Sequence, residues 1–469
     1  MSTRTSDGTT EETAPASTDA AARTSRPARG AELELTIDSL SYGGAGVARL
    51  DGYVVFVQGG MPGDRLRAQV GKAKRAYAEA RATEILAPGP DRIAPVADHP
   101  GAPWQVLRYE RQLEVKQAQV VEALTRLGGL ESVDVAPIVA ASEKWRYRNK
   151  LEYSFGSDAG GRLICGFHAP GRWDEIIEVR DCLLASEAAN AARERVVEWC
   201  RSQGFVPYDR STGSGTLRNL VVREGRRTGQ LQVRLVTGPA TFDGAALAEA
   251  AACDGVLWTR SSSAGETTAG GETKLISGAD YLDEEIGGIR VRISPEAFFQ
   301  TNTEMAEQLY GIAIDRAQLS GFERVYDLYC GIGTIGLLMA PRAAELWGLE
   351  VVPAAVADAI ANARLNEIER VNFFAGDVRL ALRELVAKAG RPDVLVVDPP
   401  RAGLSQKVVR RIIEAGPRRI VYVSCNPTTL APNASQLVDA GYTLTGVQPV
   451  DMFPQTPHIE CVAVLDRVR

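Results

Sequence analysis

The chain is 469 residues long, which allows two or three domains and a sizeable core. At 45% hydrophobic, 24% charged and 6% aromatic, it has an ordinary globular composition. A net charge of −6 does not mark a nucleic-acid binder, although phosphate contacts depend on local basic stripes rather than on the total. No stretch approaches the roughly 20 apolar residues of a membrane span. The seven cysteines (165, 182, 200, 253, 330, 425 and 461) are scattered and form no C-x-x-C pair. That argues against a disulfide framework and for reduced thiols, so a soluble, cytoplasmic, monomeric protein is expected.

Residues 1–30 are rich in Ser, Thr, Ala and Arg, with no apolar periodicity and no signal-peptide core, and a disordered tail is expected there. From 31 to 88, strand-like runs at Leu33–Ile37 and Tyr53–Val57 are broken by the glycine clusters 42–46 and 59–63. Strands this short and closely spaced predict a small β-barrel of the oligonucleotide-binding type. The run 39–48, followed by Val54–Val57 and Pro62–Asp64, resembles a TRAM domain, an RNA-binding barrel attached to RNA-modifying enzymes.

Residues 89–310 predict a central α+β domain. A helical pattern surrounds Arg108–Leu127, and a β-rich stretch from about 146 to 300 contains the polar, low-complexity loop 261–272, expected to be mobile. Two basic stripes stand out. Arg65, Arg67, Lys72, Lys74 and Arg75 come with no acid between them. Lys144, Arg146, Arg148 and Lys150 interleave with Trp145 and Tyr147, the pairing of phosphate-binding cations with base-stacking rings that a single-stranded RNA groove uses.

From 311 to 469, short β-type runs (324–329, 345–349, 371–375, 393–398 and 419–424) alternate with helical stretches (353–366, 379–389 and 405–415). This rhythm predicts a doubly wound parallel sheet, whose ligand crevice lies at the carboxyl ends of the strands. Gly331, Gly333 and Gly336 satisfy G-x-G-x-x-G after the first strand, and Glu350 follows Gly331 by nineteen residues as a ribose-binding acid. That turn serves nicotinamide dinucleotides and S-adenosylmethionine alike. No second mononucleotide half follows, Asp377 ends the third strand and Asp398 opens Asp398-Pro399-Pro400-Arg401, which favours methyl transfer over an oxidoreductase. An aromatic residue closes the related motif of amino-group methyltransferases, and Arg401 stands there instead.

Cys425 follows the fifth strand in Ser424-Cys425-Asn426-Pro427, as a nucleophile aimed into the crevice would. Carbon 5 of uracil is too weak a nucleophile to attack a sulfonium methyl group unaided. A thiolate added at carbon 6 turns carbon 5 into an enolate carbon. A thiol of ordinary pKa near 8.5 needs a polar or cationic setting to do this. The later loss of the carbon 5 proton needs a general base. Glu460, in the rigid turn entering the last strand, is the candidate, with His458 as the other possibility.

Together these residues resemble the RNA uracil-5-methyltransferase family. The resemblance implies Cys425 as nucleophile and Glu460 as proton acceptor, with Asp398 between donor and base. It implies an S-adenosylmethionine site at Gln300, Tyr329, Gly331, Gly333, Thr334, Glu350, Asp377 and Asp398, with Cys330 as packing. The substrate implied is a uridine of 23S ribosomal RNA, with transfer RNA or a catalytically inactive RNA-binding protein as alternatives. Many relatives carry an iron–sulfur cluster on three closely spaced cysteines and a later fourth. The corresponding stretch 96–105 has no cysteine, Cys182 is left as a fourth ligand without partners, and no cluster or other metal is expected.

Overall fold

The structure is a computed structural model that describes residues 1, 26–263, 265 and 267–468. Most of the tail expected to be disordered, residues 2–25, lies outside the described residues, as do 264 and 266 of the polar loop. The chain forms two compact units, one comprising residues up to 41 and 45–90, the other 42–44 and 91–469.

The first unit contains β1 (Glu32–Thr36), β2 (Ser39–Leu40), β3 (Gly46–Leu50), β4 (Tyr53–Gln58), β5 (Arg65–Ala73) and β6 (Tyr77–Ala87), in the spatial order β1-β5-β6-β4-β3-β2. Ile37 N donates to Asp64 O beside β5, and Asp38 N donates to Val47 O in β3. One bent run from β1 into β2 thus meets both ends of the order and closes the expected barrel. Leu35, Ile37, Val55, Val57, Leu66 and Val70 fill it. The basic stripe lies partly on β5, where Arg67 pairs with Glu34 and Glu84 and Lys72 pairs with Glu79.

In the second unit, α1 (Tyr109–Glu122) runs on through a wider turn at Ala123–Leu127. A seven-stranded sheet follows, built from β7 (Lys150–Ser157), β8 (Leu163–Ala169), β9 (Arg172–Glu178), β10 (Leu217–Glu224), β11 (Leu231–Thr237), β12 (Gly255–Arg260) and β13 (Glu272–Gly278). Helices α2 (Glu187–Ser202) and α3 (Gly244–Ala251) share its core, and α3 is the crossover that lets β11 and β12 run parallel. A hairpin, β14 (Leu282–Ile286) and β15 (Ile289–Ile293), turns on Gly287 and Gly288, both at positive φ as a two-residue loop requires.

The last sheet is the expected doubly wound one. Its strands are β16 (Arg324–Leu328), β17 (Glu345–Glu350), β18 (Val371–Ala375), β19 (Val394–Val397), β20 (Arg419–Ser424), β21 (Tyr442–Val450) and β22 (Glu460–Arg467). The order is β18-β17-β16-β19-β20-β22-β21, parallel through β20, with β22 antiparallel to both of its neighbours. Period-two alternation divides the core into two layers. Val325, Val394, Val396, Val421 and Val423 face a layer that includes α4 (Thr303–Ala317), whereas Tyr326, Leu395, Val397, Ile420 and Tyr422 face a layer that includes residues of α1. The chain leaves β16 for β17 on one side and returns to β19 on the other, so a crevice opens where the order reverses.

One expectation about RNA contacts is corrected here. Tyr147 is fully buried, with its hydroxyl donating to Pro454 O (3.0 Å), and cannot stack on a base. Trp145 is half-buried against the central core. Arg146 pairs with Asp181 and Lys150 with Glu152, so the 144–150 stripe is largely neutralised by neighbouring acids.

Candidate active site

The turn after β16 carries the glycine motif into α5 (Thr334–Met339). Gly333 stands at φ 84°, and an added Cβ would lie 3.1 Å from Ala359 Cβ and 3.1 Å from Phe373 Cζ. Only glycine fits both the conformation and the space. The turn is braced by two acids. Glu350, ending β17, accepts from Gly331 N (3.1 Å) and Val352 N (2.9 Å). Asp327, inside β16, accepts from Gly336 N (3.0 Å) through Oδ2, while its buried Oδ1 has no hydrogen-bond partner. Burial, reinforced by Asp398, pushes the Asp327 carboxyl up to about 8.

Tyr329 (φ 64°) and buried Thr334 flank this turn, and Asp377 caps α7 (Val378–Ala389) by accepting from Arg379 N (2.9 Å). Buried Gln300, just before α4, interacts through its side chain with Tyr310. Tyr310 is also buried and lies near Asp398, Glu460 and Asp327. Tyr329 and Asp377 follow the ends of β16 and β18, Thr334 opens α5, and Gln300 and Tyr310 come from α4 and the turn before it. Cys330 lies in the core, consistent with packing.

Cys425 follows the end of β20. Its turn is tied to the Asp398-Pro399-Pro400-Arg401 turn, because Asn426 Nδ2 donates to Arg401 O (3.0 Å) and Asn426 Oδ1 caps α9 (Pro427–Asp439). In the β20–β22 register, Ser424 pairs with Cys461, so the next step outward sets Glu460 against Cys425. Glu460 is 3% exposed and its Oε2 has no hydrogen-bond partner.

The setting of the thiol is polar, with one cation and two carboxyls near it. Burial, then Glu460 and Asp398, push Cys425 up to about 11, with Arg401 as the opposing influence. Burial pushes Asp398 up to about 7 and holds the Glu460 carboxyl well above its ordinary value. At neutral pH the free site therefore holds Cys425 as the thiol, beside a Glu460 carboxyl whose burial favours its neutral form. His458, held down to about 4 by burial and by Arg401, Arg148 and Lys116, is a weak base. A carboxyl with a raised pKa is the stronger proton acceptor once ionised.

A hydrogen bond occupies the region that would hold an iron–sulfur cluster. His99 Nε2 lies 3.1 Å from Cys182 Sγ, and Gly101 N donates to His99 Nδ1 (3.1 Å), which leaves the ring hydrogen on Nε2 facing the sulfur. Cys182 thus has a hydrogen-bond partner, though no second thiol beside it. Among the described residues no group of three or more His, Cys, Asp or Glu side chains could hold a metal, and one thiol with one imidazole does not fit a cluster that needs several thiolates.

The glycine turn, the acid-tipped strands and the doubly wound sheet define an S-adenosylmethionine-dependent methyltransferase. Residues 268–468 match the family described as tRNA (Uracil-5-)-methyltransferase, and residues 27–83 match the TRAM domain. A protein of Halalkalibacterium halodurans named as an uncharacterised RNA methyltransferase is 40% identical over 444 residues, covering 92% of this chain and 96% of that protein. One of the same description from Chlorobaculum tepidum is 39% identical over 447 residues, covering 89% and 92%. Among solved structures, the tRNA (uracil-54, C5)-methyltransferase of Pyrococcus abyssi, in complex with S-adenosyl-L-homocysteine, aligns with a TM-score of 0.74 and 27% identity over 92% of this chain and 100% of that one. The chain belongs to the RNA uracil-5-methyltransferase family.

Sequence reasoning placed no role on Tyr310 or Asp327. Tyr310 sits on the apolar face of α4 and reads as an ordinary core position. Asp327 did leave a signal, as an acid inside an otherwise apolar strand.

Proposed function

We propose that this enzyme methylates carbon 5 of a uridine in 23S ribosomal RNA through a covalent adduct on Cys425. The observation that carries the chemistry is the β20–β22 register, which sets a thiol against a buried carboxyl with an unpartnered oxygen. Cys425 gives its proton to solvent and adds as the thiolate to carbon 6 of the uracil, and the carbon 5–carbon 6 π pair moves to carbon 5 and oxygen 4. Carbon 5 then attacks the methyl carbon of the donor, a co-substrate, and the carbon–sulfur pair leaves with S-adenosylhomocysteine. Glu460, ionised, takes the carbon 5 proton. The C–H pair restores the double bond and the Cys425 thiolate departs.

In this reading Gln300, Tyr329, Gly331, Gly333, Thr334, Glu350 and Asp377 hold the donor, and Asp398 lies between donor and base. The barrel of residues 31–88 engages the RNA, the central part is 89–310, and residues 311–469 carry the chemistry. The enzyme acts in the cytoplasm, as a monomer and without an iron–sulfur cluster. The described residues include no helix long and apolar enough to cross a membrane.

The TRAM barrel supports ribosomal RNA. A second reading, transfer RNA, is favoured by the Pyrococcus abyssi neighbour, which is a tRNA enzyme. Radiolabelled methyl incorporation into separate 23S and transfer RNA transcripts, followed by nucleoside analysis, tests both. Label in 5-methyluridine of 23S RNA alone is the expected result. Label in transfer RNA alone would replace the substrate, and label in neither, with intact donor binding, would overturn the enzymatic reading for these RNAs.

A further inference from the structure

The segment 451–459 joins β21 to β22 and leads directly into Glu460. Within it Gln455, 5% exposed, adopts φ 66°, a left-handed conformation that costs a non-glycine residue about 1–2 kcal/mol. Such strain persists only where the surroundings over-determine it. Here α1 provides the surroundings. Gln455 N donates to Gln112 Oε1 (3.0 Å), Gln112 Nε2 donates back to Gln455 Oε1 (2.8 Å), and Trp104 N donates to Gln455 O (2.9 Å). Gln112 is itself fixed because the two hydrogens of Nε2 are shared among Gln455 Oε1, Trp104 O (3.0 Å) and Leu107 O (2.8 Å).

One helical turn further along α1, fully buried Lys116 donates to Asp451 Oδ1 (2.6 Å) and to Phe453 O (3.1 Å). The remaining carbonyls of the segment's first half are also taken, Met452 O by Asn302 Nδ2 (2.9 Å) and Pro454 O by Tyr147 hydroxyl (3.0 Å). Four successive carbonyls, 452 to 455, thus each accept from a donor outside the segment. Cys425, by contrast, follows β20, which β19 holds on one edge and β22 on the other, so none of the segment's anchors bears on it directly.

We propose that Gln112 is a positioning residue that holds Gln455 left-handed and thereby sets Glu460 for proton removal from the methylated adduct. The inference rests on Glu460 being the proton acceptor. Because the clamp acts on the Glu460 side and not on β20, losing it slows breakdown of the adduct more than its formation. A misplacement of about 1 Å at a reacting group can cost up to about 100-fold in rate.

The test compares wild type, Gln112→Ala and Gln112→Ala/Gln455→Gly on a 23S RNA transcript, or on the tRNA transcript if wild type methylates only that. Steady-state turnover and the fraction of enzyme trapped as Cys425–RNA adduct are both read. In Gln112→Ala, turnover is expected to fall about ten-fold or more, with KM near wild type and a higher adduct fraction. Adding Gln455→Gly, which adopts φ 66° without strain, should restore most of the turnover. Unchanged turnover in Gln112→Ala, or a loss with no rise in adduct and no rescue, would overturn the proposal. A wild-type enzyme that forms no adduct on either RNA would instead overturn the reading beneath it. If Gln112→Ala folds poorly, Gln112→Glu retains the acceptor for Gln455 N. Denaturant unfolding without RNA still reads the coupling: Gln455→Gly should stabilise Gln112→Ala more than wild type, which also loses the Gln112–Gln455 side-chain bond, and equal effects in both backgrounds would refute the clamp.

Discussion

Asp327 gives the most quantitative prediction. Its carboxyl is buried, half-satisfied by Gly336 N, and pushed from 3.8 to about 8. The folded state therefore holds a proton that the unfolded chain releases once pH exceeds about 4. A raised acid pKa contributes its stability below the unfolded value and loses it as pH rises through the folded one. Across pH 5–7 the slope for one such carboxyl is about −1.4 kcal/mol per pH unit. Asp398, raised to about 7, adds a second contribution of the same sign over most of that range.

Asp327→Asn keeps an oxygen for Gly336 N and cannot titrate. The stability of the variant relative to wild type should therefore climb by about 1.4 kcal/mol per pH unit between pH 5 and 7. Urea unfolding followed by tryptophan fluorescence at several pH values measures that difference directly, because other titrating groups are shared by the two proteins. A difference that stays flat with pH would mean that Asp327 is an ordinary ionised carboxylate in the fold, and would refute the reasoning.

Three further outcomes are expected. Gly333→Ala forces φ 84° on a residue with a Cβ and crowds Phe373, so affinity for S-adenosylhomocysteine should drop about ten-fold or more by calorimetry, and unaltered affinity would remove this turn from the donor site. Glu460→Gln should complete methyl transfer once and then accumulate a protein–RNA adduct on denaturing gels, whereas normal turnover would exclude Glu460 as the base. Lys116→Met leaves the buried Asp451 without its cation and with the Tyr109 hydroxyl as its remaining side-chain donor, and should destabilise the protein by about 3–5 kcal/mol in denaturant titrations at pH 7. A cost below about 1 kcal/mol would mean that water reaches Asp451.

Local patterns were legible wherever one strand or one turn carried them. The apolar run ending at Ser424 announced β20 and the place of Cys425, and the glycine motif announced the turn into α5. What was not legible depends on partners far away in sequence. The pairing of Glu460 with Cys425 follows from the register of β20 with β22, strands separated by α9 and β21. Lys144–Lys150 read as an RNA groove because alternating cations and rings look the same whether the rings face solvent or, like Tyr147, a core. The left-handed Gln455 had no sequence signal, since glutamine has no preference for positive φ and only Gln112, some 340 residues earlier, explains it. The thiol's environment was not legible for a related reason: burial and two carboxyls brought from elsewhere in the chain, Glu460 and Asp398, outweigh Arg401 at Cys425.

The covalent step is the centre of the account, and trapping it is the most direct test. RNA transcribed with 5-fluorouridine would be incubated with the enzyme and S-adenosylmethionine, then resolved under denaturing conditions and mapped by mass spectrometry. Fluorine cannot leave carbon 5 as a cation, so a methylated adduct cannot break down. The account predicts a species heavier by the RNA, with the modification on Cys425 and none in Cys425→Ala. Methylation of unsubstituted RNA with no trapped species, or a trapped species on another residue, would contradict it.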